Sequence, residues 1–365
     1  MRPRHNRRVR TLYVAAGGGG DAVGALLARR ALGDTDHRPP LVTTCAWERL
    51  RIDPVPGPRA RADFTGLGLV GNERCEVLPD SDTVPAGRSV LPRLAETSGA
   101  RIFLHDFEGG AVGLATQLRR LSQSLGVDRL VVLDVGGDLV ARGSEQGLRS
   151  PLADSCTLGA ALETGIPTSI VVLGPGVDGE LPEGQVLRLL EACGAQQIGR
   201  IASDDVRAVA NVLCWHPTEA TALVAAAAKG VRGAVAMRRG HAPTPLTDHS
   251  ADVWSVRDPT FDCFPLSELI SRTSNLPEAE HVIRENSVDE IDFERTIASR
   301  PSSERSLQSV EELVSDMETA QATHITWRRL SDVLGSPVPF ASSATRGGGL
   351  WSVDELRRTI NAQDE

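Results

Sequence analysis

The stretch 9–32, VRTLYVAAGGGGDAVGALLARRAL, constrains this chain more than any other. An apolar run ends in Gly17, Gly18, Gly19 and Gly20, and Asp21 then leads directly into an amphipathic segment. Strand, glycine turn and helix start in this order is how α/β proteins bring backbone N–H groups and a helix dipole to an anion. The pattern implies a small-molecule site near the start of the chain without naming the molecule. Asp21 is placed to cap the helix. A negative cap tempers anion binding, so a ribose hydroxyl, an amine or a metal are alternative occupants.

Four more apolar runs, 41–44, 101–105, 129–135 and 168–174, alternate with helical patterns at 22–32, 111–125, 152–163 and 183–193. This spacing predicts right-handed βαβ units in an open, mostly parallel, Rossmann-like three-layer α/β sheet. Two adjacent helices are expected at 204–213 and 217–228. Residues 48–92 are rich in Pro, Gly and Arg and read as an insertion over the sheet edge. The α/β domain is expected to span 1–286. Residues 287–365 read as a helical C-terminal appendage for dimerisation, a lid or packing, with a Gly/Pro linker at 335–349. Its helices begin at two capping boxes, Ser309 with Glu312 and Ser352 with Glu355.

Composition narrows the chemistry. Lys229 is the only lysine, so there is no GxxxxGK[ST] phosphate loop and a single candidate for Schiff-base catalysis. The six cysteines form no CxxC pair, which suits reduced thiols in a cytoplasmic protein rather than a disulfide frame or zinc ribbon. HExxH, GxSxG and SxxK are also absent. A net charge of −9 disfavours nucleic acid as the main partner. Five arginines within the first ten residues are the one counter-signal, either an arm for RNA or a membrane surface or a solvated terminus. Nothing reads as a signal peptide or a bilayer span.

Three further turns carry acids at strand ends. In Leu133-Asp-Val-Gly-Gly-Asp138, Asp134 closes a Val/Leu strand and Asp138 follows the Gly136-Gly137 turn. Both would stand at the carboxyl edge of the sheet, where open α/β proteins bind ligands. They could hold Mg²⁺ or divide acid and base roles. Arg142 and Arg149 could neutralise them or an anionic substrate, and an Asp–Arg network that merely orders loops is the alternative. Gly174-Pro-Gly-Val-Asp-Gly-Glu180 brings Asp178 and Glu180 to the same edge. His105, ending its own strand beside Asp106, is the expected proton carrier. Weaker candidates are Trp47, Glu48 and Arg49, the stiff Asp53-to-Arg59 loop, and the group His216, Thr218 and Glu219.

At GGGGD (17–21), WER with DPVPGPR (47–59), LDVGGDLVARGSEQGLRSPLADS (133–155) and GPGVDGEL (174–181), the chain resembles domain-of-unknown-function family 1152 of archaea and actinobacteria. The resemblance spans about 9–284 and implies a shared site without an activity. Its actinobacterial members suggest a setting in specialised metabolism. Thr43 to Ala46 depart from the family pattern, which has a glycine pair before the tryptophan.

The combined reading is a cytoplasmic enzyme, a metal-assisted hydrolase or group transferase, acting on a small anionic or sugar- or nucleotide-type metabolite. Catalysis is assigned to Asp134, Asp138, His105 and Asp178. Ligand binding is assigned to Gly17–Gly20, Asp21, Gly136, Gly137, Arg142, Arg149 and Glu180, with Asp134 and Asp138 as metal ligands. A homo-oligomer is compatible with this reading. The alternatives are a regulatory protein that binds a nucleotide or metabolite without turnover, and an assembly partner. A nicotinamide enzyme fits less well, because the second strand ends Thr43-Thr44 instead of in an acid.

Overall fold

A computed structural model describes residues 9–34, 36–85, 87–238, 242–299, 309–334 and 349–361. The arginines of the arm before residue 9 and nearly all of the 335–349 linker lie outside the described residues. Nine strands build the main sheet: β1 (Thr11–Ala15), β2 (Leu41–Thr44), β3 (Gly68–Val70), β4 (Glu73–Val77), β5 (Arg101–Leu104), β6 (Arg129–Val135), β7 (Thr168–Leu173), β8 (Gln196–Arg200) and β9 (Asp252–Arg257). Their order is β8-β9-β7-β6-β1-β2-β5-β4-β3. The five strands anticipated from their apolar runs form the parallel centre, β7-β6-β1-β2-β5.

Numbered by chain order within that centre, the arrangement is 3-2-1-4-5, the doubly wound order. The direction of winding reverses between β1 and β6. Loops leave that point to opposite sides, opening a crevice at the carboxyl ends of these two strands. The glycine turn follows β1, and Asp134 lies near the end of β6.

The flanks are antiparallel. β9 pairs with β7 and β8 with β9, while β4 and β3 extend the other edge beyond β5. The 48–92 insertion therefore adds two strands to the sheet edge, besides a short ribbon of Phe64–Thr65 with Asp82–Thr83. Helices cover both faces. Leu133, Val171 and Leu173 pack towards the helices Gly19–Ala28 and Ala220–Ala228, and Leu130, Val132 and Val172 pack into the opposite core with Leu114 and Leu158. This is the alternation of a strand buried on both sides.

The helix Gly19–Ala28 sits directly on β6 because Gly24 has no side chain. A Cβ there would lie 2.3 Å from Cγ2 of Val135. Gly24→Ala returns about 1 kcal/mol of helix propensity but over-packs a rigid contact worth about 1–3 kcal/mol. We expect a net loss of up to about 2 kcal/mol, read as a lower urea midpoint with unchanged m-value.

The C-terminal region carries strands as well as helices. His324–Thr326 and Leu350–Ser352 join Gly233–Ala236 and Thr244–Leu246 in a second, four-stranded sheet. Strands of three residues leave too little alternation to be read from sequence. Both capping boxes are formed: Ser309 with Glu312 begins the helix Val310–Thr319, and Ser352 with Glu355 begins Val353–Asn361. No helix among the described residues is long and apolar enough to cross a membrane.

Candidate functional site

A cavity of about 160 Å³ opens at the crevice between β1 and β6. Among the described residues its wall includes ten carboxylates, those of Asp21, Glu48, Asp134, Asp138, Asp154, Asp178, Glu180, Glu219, Glu290 and Glu294, against one arginine, Arg49. The sequence turns deliver them. Asp21 follows the glycine turn after β1, Asp134 lies on β6, and Asp178 and Glu180 follow β7. Asp154 comes from the first turn of the helix Pro151–Glu163, and Glu290 opens the helix Glu290–Ala298.

Asp21 does not cap its own helix, whose N-cap residue is Gly18. Its Oδ2 accepts from the Gly17 amide at 2.6 Å, and its Oδ1 accepts from the Val135 amide at 3.2 Å. The carboxylate thus ties the glycine turn to the end of β6 and occupies the Gly17 N–H that an anionic ligand would need. The anion-cradle expectation for this turn changes accordingly: the turn presents a carboxylate to the cavity. Gly17, Gly19 and Gly20 line that cavity, whereas Gly18 does not.

The acids fall into two groups. One oxygen from each of Asp21, Asp134 and Asp154 can be chosen so that all three lie within 4.8 Å of one another. The same holds for Asp138, Asp178 and Glu180. Gly136 makes the second group possible, since its φ of +125° and the absence of a Cβ let the Asp178 side chain approach to where that Cβ would be 2.3 Å from Cγ. Glu180 is fixed by the Arg149 and Ser150 amides at 2.7 and 3.1 Å and by the Ser150 hydroxyl. Asp134 accepts from the Leu139 amide at 3.3 Å.

Several oxygens in the site have no donor. Asp154 Oδ1, Asp178 Oδ2 and Glu290 Oε2 are buried without a hydrogen-bond partner among the described residues. Asp154 is only 3% exposed. Burial, reinforced by neighbouring carboxylates, pushes Asp21, Asp138, Asp154, Asp178 and Glu290 well above the ordinary carboxylate range. Asp134 rises to about 7 for the same principal reason, partly offset by backbone N–H groups. Glu48, held by the Val90 amide at 2.8 Å, is also pushed by burial to about 7. A crowd of buried acids must take up protons or countercharge.

Other expected residues serve or flank the site without lining it. Gly136 and Gly137 shape the loop, and Arg149 contributes its backbone N–H to Glu180. Arg142 is exposed and outside the cavity, so the expected neutralising role does not arise there. His105 also stays outside, its Nδ1 3.1 Å from Oγ1 of Thr43. Burial lowers its pKa to about 3, with Arg61 adding to the effect. This imidazole is neutral at physiological pH. Asp53 and Arg59 are spent on each other in a buried bidentate pair at 2.6 and 2.8 Å.

Trp47, Glu48 and Arg49, weak candidates by sequence, all line the cavity. His216 and Glu219 do so too, and Glu219 accepts from the Arg238 amide and from Thr326, which links the small sheet to the wall. Asp154 and Glu290 were missing from the sequence-derived set. An acid near Leu152, Ala153 and Cys156 on a mostly apolar helix was the available signal for Asp154. Glu290 had none, being an ordinary first-turn acid in a polar segment.

Fold and site together define a doubly wound α/β protein with a carboxylate-lined pocket at its topological switch point. A family model described as "Protein of unknown function (DUF1152)" matches residues 12–298, and the chain belongs to that family. The matched region runs through the helix bearing Glu290 and Glu294. No curated protein and no solved structure matches the chain.

Proposed function

We propose that this protein is a metal-dependent enzyme, a hydrolase or group transferase acting on a small anionic or sugar-type metabolite. Two divalent cations, Mg²⁺ or Mn²⁺, would be held by Asp21, Asp134 and Asp154 and by Asp138, Asp178 and Glu180. The observation that carries this reading is the pair of orphaned buried oxygens, Asp154 Oδ1 and Asp178 Oδ2, one in each group. An oxygen with no donor in a crowd of like charges is costly, and hard cations prefer such all-oxygen ligand sets.

Cations here would lower the pKa of a bound water and polarise a phosphoryl or carbonyl oxygen. The chain's own part is to fix the carboxylates. Asp21 is clamped by two amides and Glu180 by two amides and a hydroxyl, so little reorganisation is needed on metal entry. Six unpaired cysteines suit a reducing compartment such as the cytoplasm.

Calorimetric titration of the metal-stripped chain with Mn²⁺ at pH 7.5 tests the reading, with an expected stoichiometry of two. Turnover of phosphomonoester and acyl-ester probes should then require the metal. Absence of Mn²⁺ binding overturns the proposal, and tight ligand binding without turnover would reduce it to a binding protein.

A further inference from the structure

Besides the carboxylates, the same cavity holds two unspent donors. His216 is 2% exposed, and its Nδ1 accepts from the Thr218 amide at 3.2 Å. That bond uses the Nδ1 lone pair, so the neutral ring carries its proton on Nε2. Nε2 is buried, has no partner among the described residues and faces the glycine turn, 3.5 Å from where a Gly19 Cβ would stand. A protonated Nε2 cannot ligate a metal; it can only donate. Burial, with the charge of Arg328, lowers the pKa of His216 to about 3, so the ring remains a neutral donor across the physiological range.

The second donor is Arg49. It is the only arginine on the cavity wall and makes no hydrogen bond or ion pair through its side chain among the described residues. Its charge reaches Glu48 and Glu290 at longer range. A guanidinium without a side-chain partner on the wall of an acidic cavity is available to an anionic ligand. Two cations, the two N–H groups of an arginine fork and the His216 N–H make five contacts, more than the about four lone-pair sites of a planar carboxylate. A tetrahedral oxyanion can accept them all.

We infer that Arg49 and His216 bind the phosphate group of a small phosphorylated metabolite, held between them and the two cations. This inference rests on the two-cation reading and narrows its substrate class. Thr218 acts as the positioning residue that fixes the histidine tautomer through its amide.

The test titrates inorganic phosphate, ribose 5-phosphate and acetate into the Mn²⁺-loaded full chain and into Arg49→Ala, Arg49→Lys and His216→Phe. Mn²⁺ should bind the variants as well as, or better than, the parent, because none of them loses a carboxylate. Phosphate and ribose 5-phosphate affinity should fall about tenfold or more in Arg49→Ala and His216→Phe, as expected for a lost hydrogen bond to a charged group. Arg49→Lys should recover part of it, and acetate should bind weakly everywhere. Unchanged phosphate affinity in Mn²⁺-loaded variants overturns the inference while leaving the cation site standing. Acetate binding as tight as phosphate, or exclusion of ribose 5-phosphate, overturns the assignment to an esterified phosphate. Failure of the parent chain to bind Mn²⁺ removes both readings.

Discussion

Stripped of divalent cations, the protein should lose thermal stability as pH rises above about 6.5, and Mn²⁺ should restore it. The direction follows from the buried acids. A carboxyl whose pKa is raised by folding contributes stability that is fully present below its unfolded value, near 4. That contribution is lost as pH climbs through the folded value. Asp134 reaches about 7, and Asp21, Asp138, Asp154 and Asp178 are also pushed well upward by burial and by one another. His105 and His216 act in the opposite sense, but only below about pH 6.5, where the unfolded chain protonates them and the folded one does not. Above that pH the carboxyls alone set the slope. Each acid that stays protonated only in the folded chain contributes about 1.4 kcal/mol per pH unit. Saturating Mn²⁺ at two sites, each at about a thousand times Kd, adds roughly 8 kcal/mol and recovers on the order of 10 °C. Differential scanning fluorimetry at several pH values, with and without Mn²⁺, makes the measurement. A Tm that is flat with pH and indifferent to Mn²⁺ refutes both the electrostatic picture and the cation site.

Asp154→Asn should have effects of opposite sign on stability and on metal binding. Asp154 is nearly isosteric with asparagine, is 3% exposed, and has one oxygen with no donor. In the metal-free chain at pH 8 the substitution removes the cost of burying an ionisable carboxyl beside Asp21 and Asp134, whether it is met as charge or as a retained proton, so the variant should melt several degrees higher than the parent. With Mn²⁺ the order should reverse. Loss of a direct carboxylate ligand should weaken one of the two binding events at least a hundredfold, beyond the 10–100-fold typical of the groups that merely orient metal ligands. Asp138→Asn should weaken the other event in the same way. A purely structural acid gives a different signature: lower stability without metal and no change in Mn²⁺ affinity. The comparison therefore separates a ligand from a packing residue without knowledge of the substrate.

The five central strands were legible because strands buried on both faces must be nearly continuous Val, Leu and Ile runs, as in Leu130 to Leu133. The antiparallel flanks were not. β8 reads Gln-Gln-Ile-Gly-Arg and lies exposed or half-buried at the edge, so it carries no apolar signature. Within the site, Asp134, Asp138, Asp178 and Glu180 stood out because glycines beside strand ends mark places where backbone must turn tightly or let a side chain approach. Asp154, Glu290, Arg49 and His216 come from two helices and two loops; Arg49 and His216 were weak candidates, Asp154 had a faint signal in its mostly apolar helix, and nothing local distinguishes Glu290 from an ordinary acid. Arg142 and His105, conspicuous by sequence, fold away from the cavity.

By itself the sequence determined the parallel centre of the sheet, the glycine turns and the presence of acids at their ends, since periodicity and backbone sterics act over neighbouring residues. Tertiary structure alone decided which acids meet. It grouped Asp21 and Asp134 with Asp154, and Asp138 with Asp178 and Glu180, and it brought Arg49 and His216 to the same cavity. Electrostatic consequence depends on distances between groups far apart in the chain, 133 positions within one carboxylate group in the case of Asp21 and Asp154. Those distances come into being only when the sheet winds outward in both directions from β1.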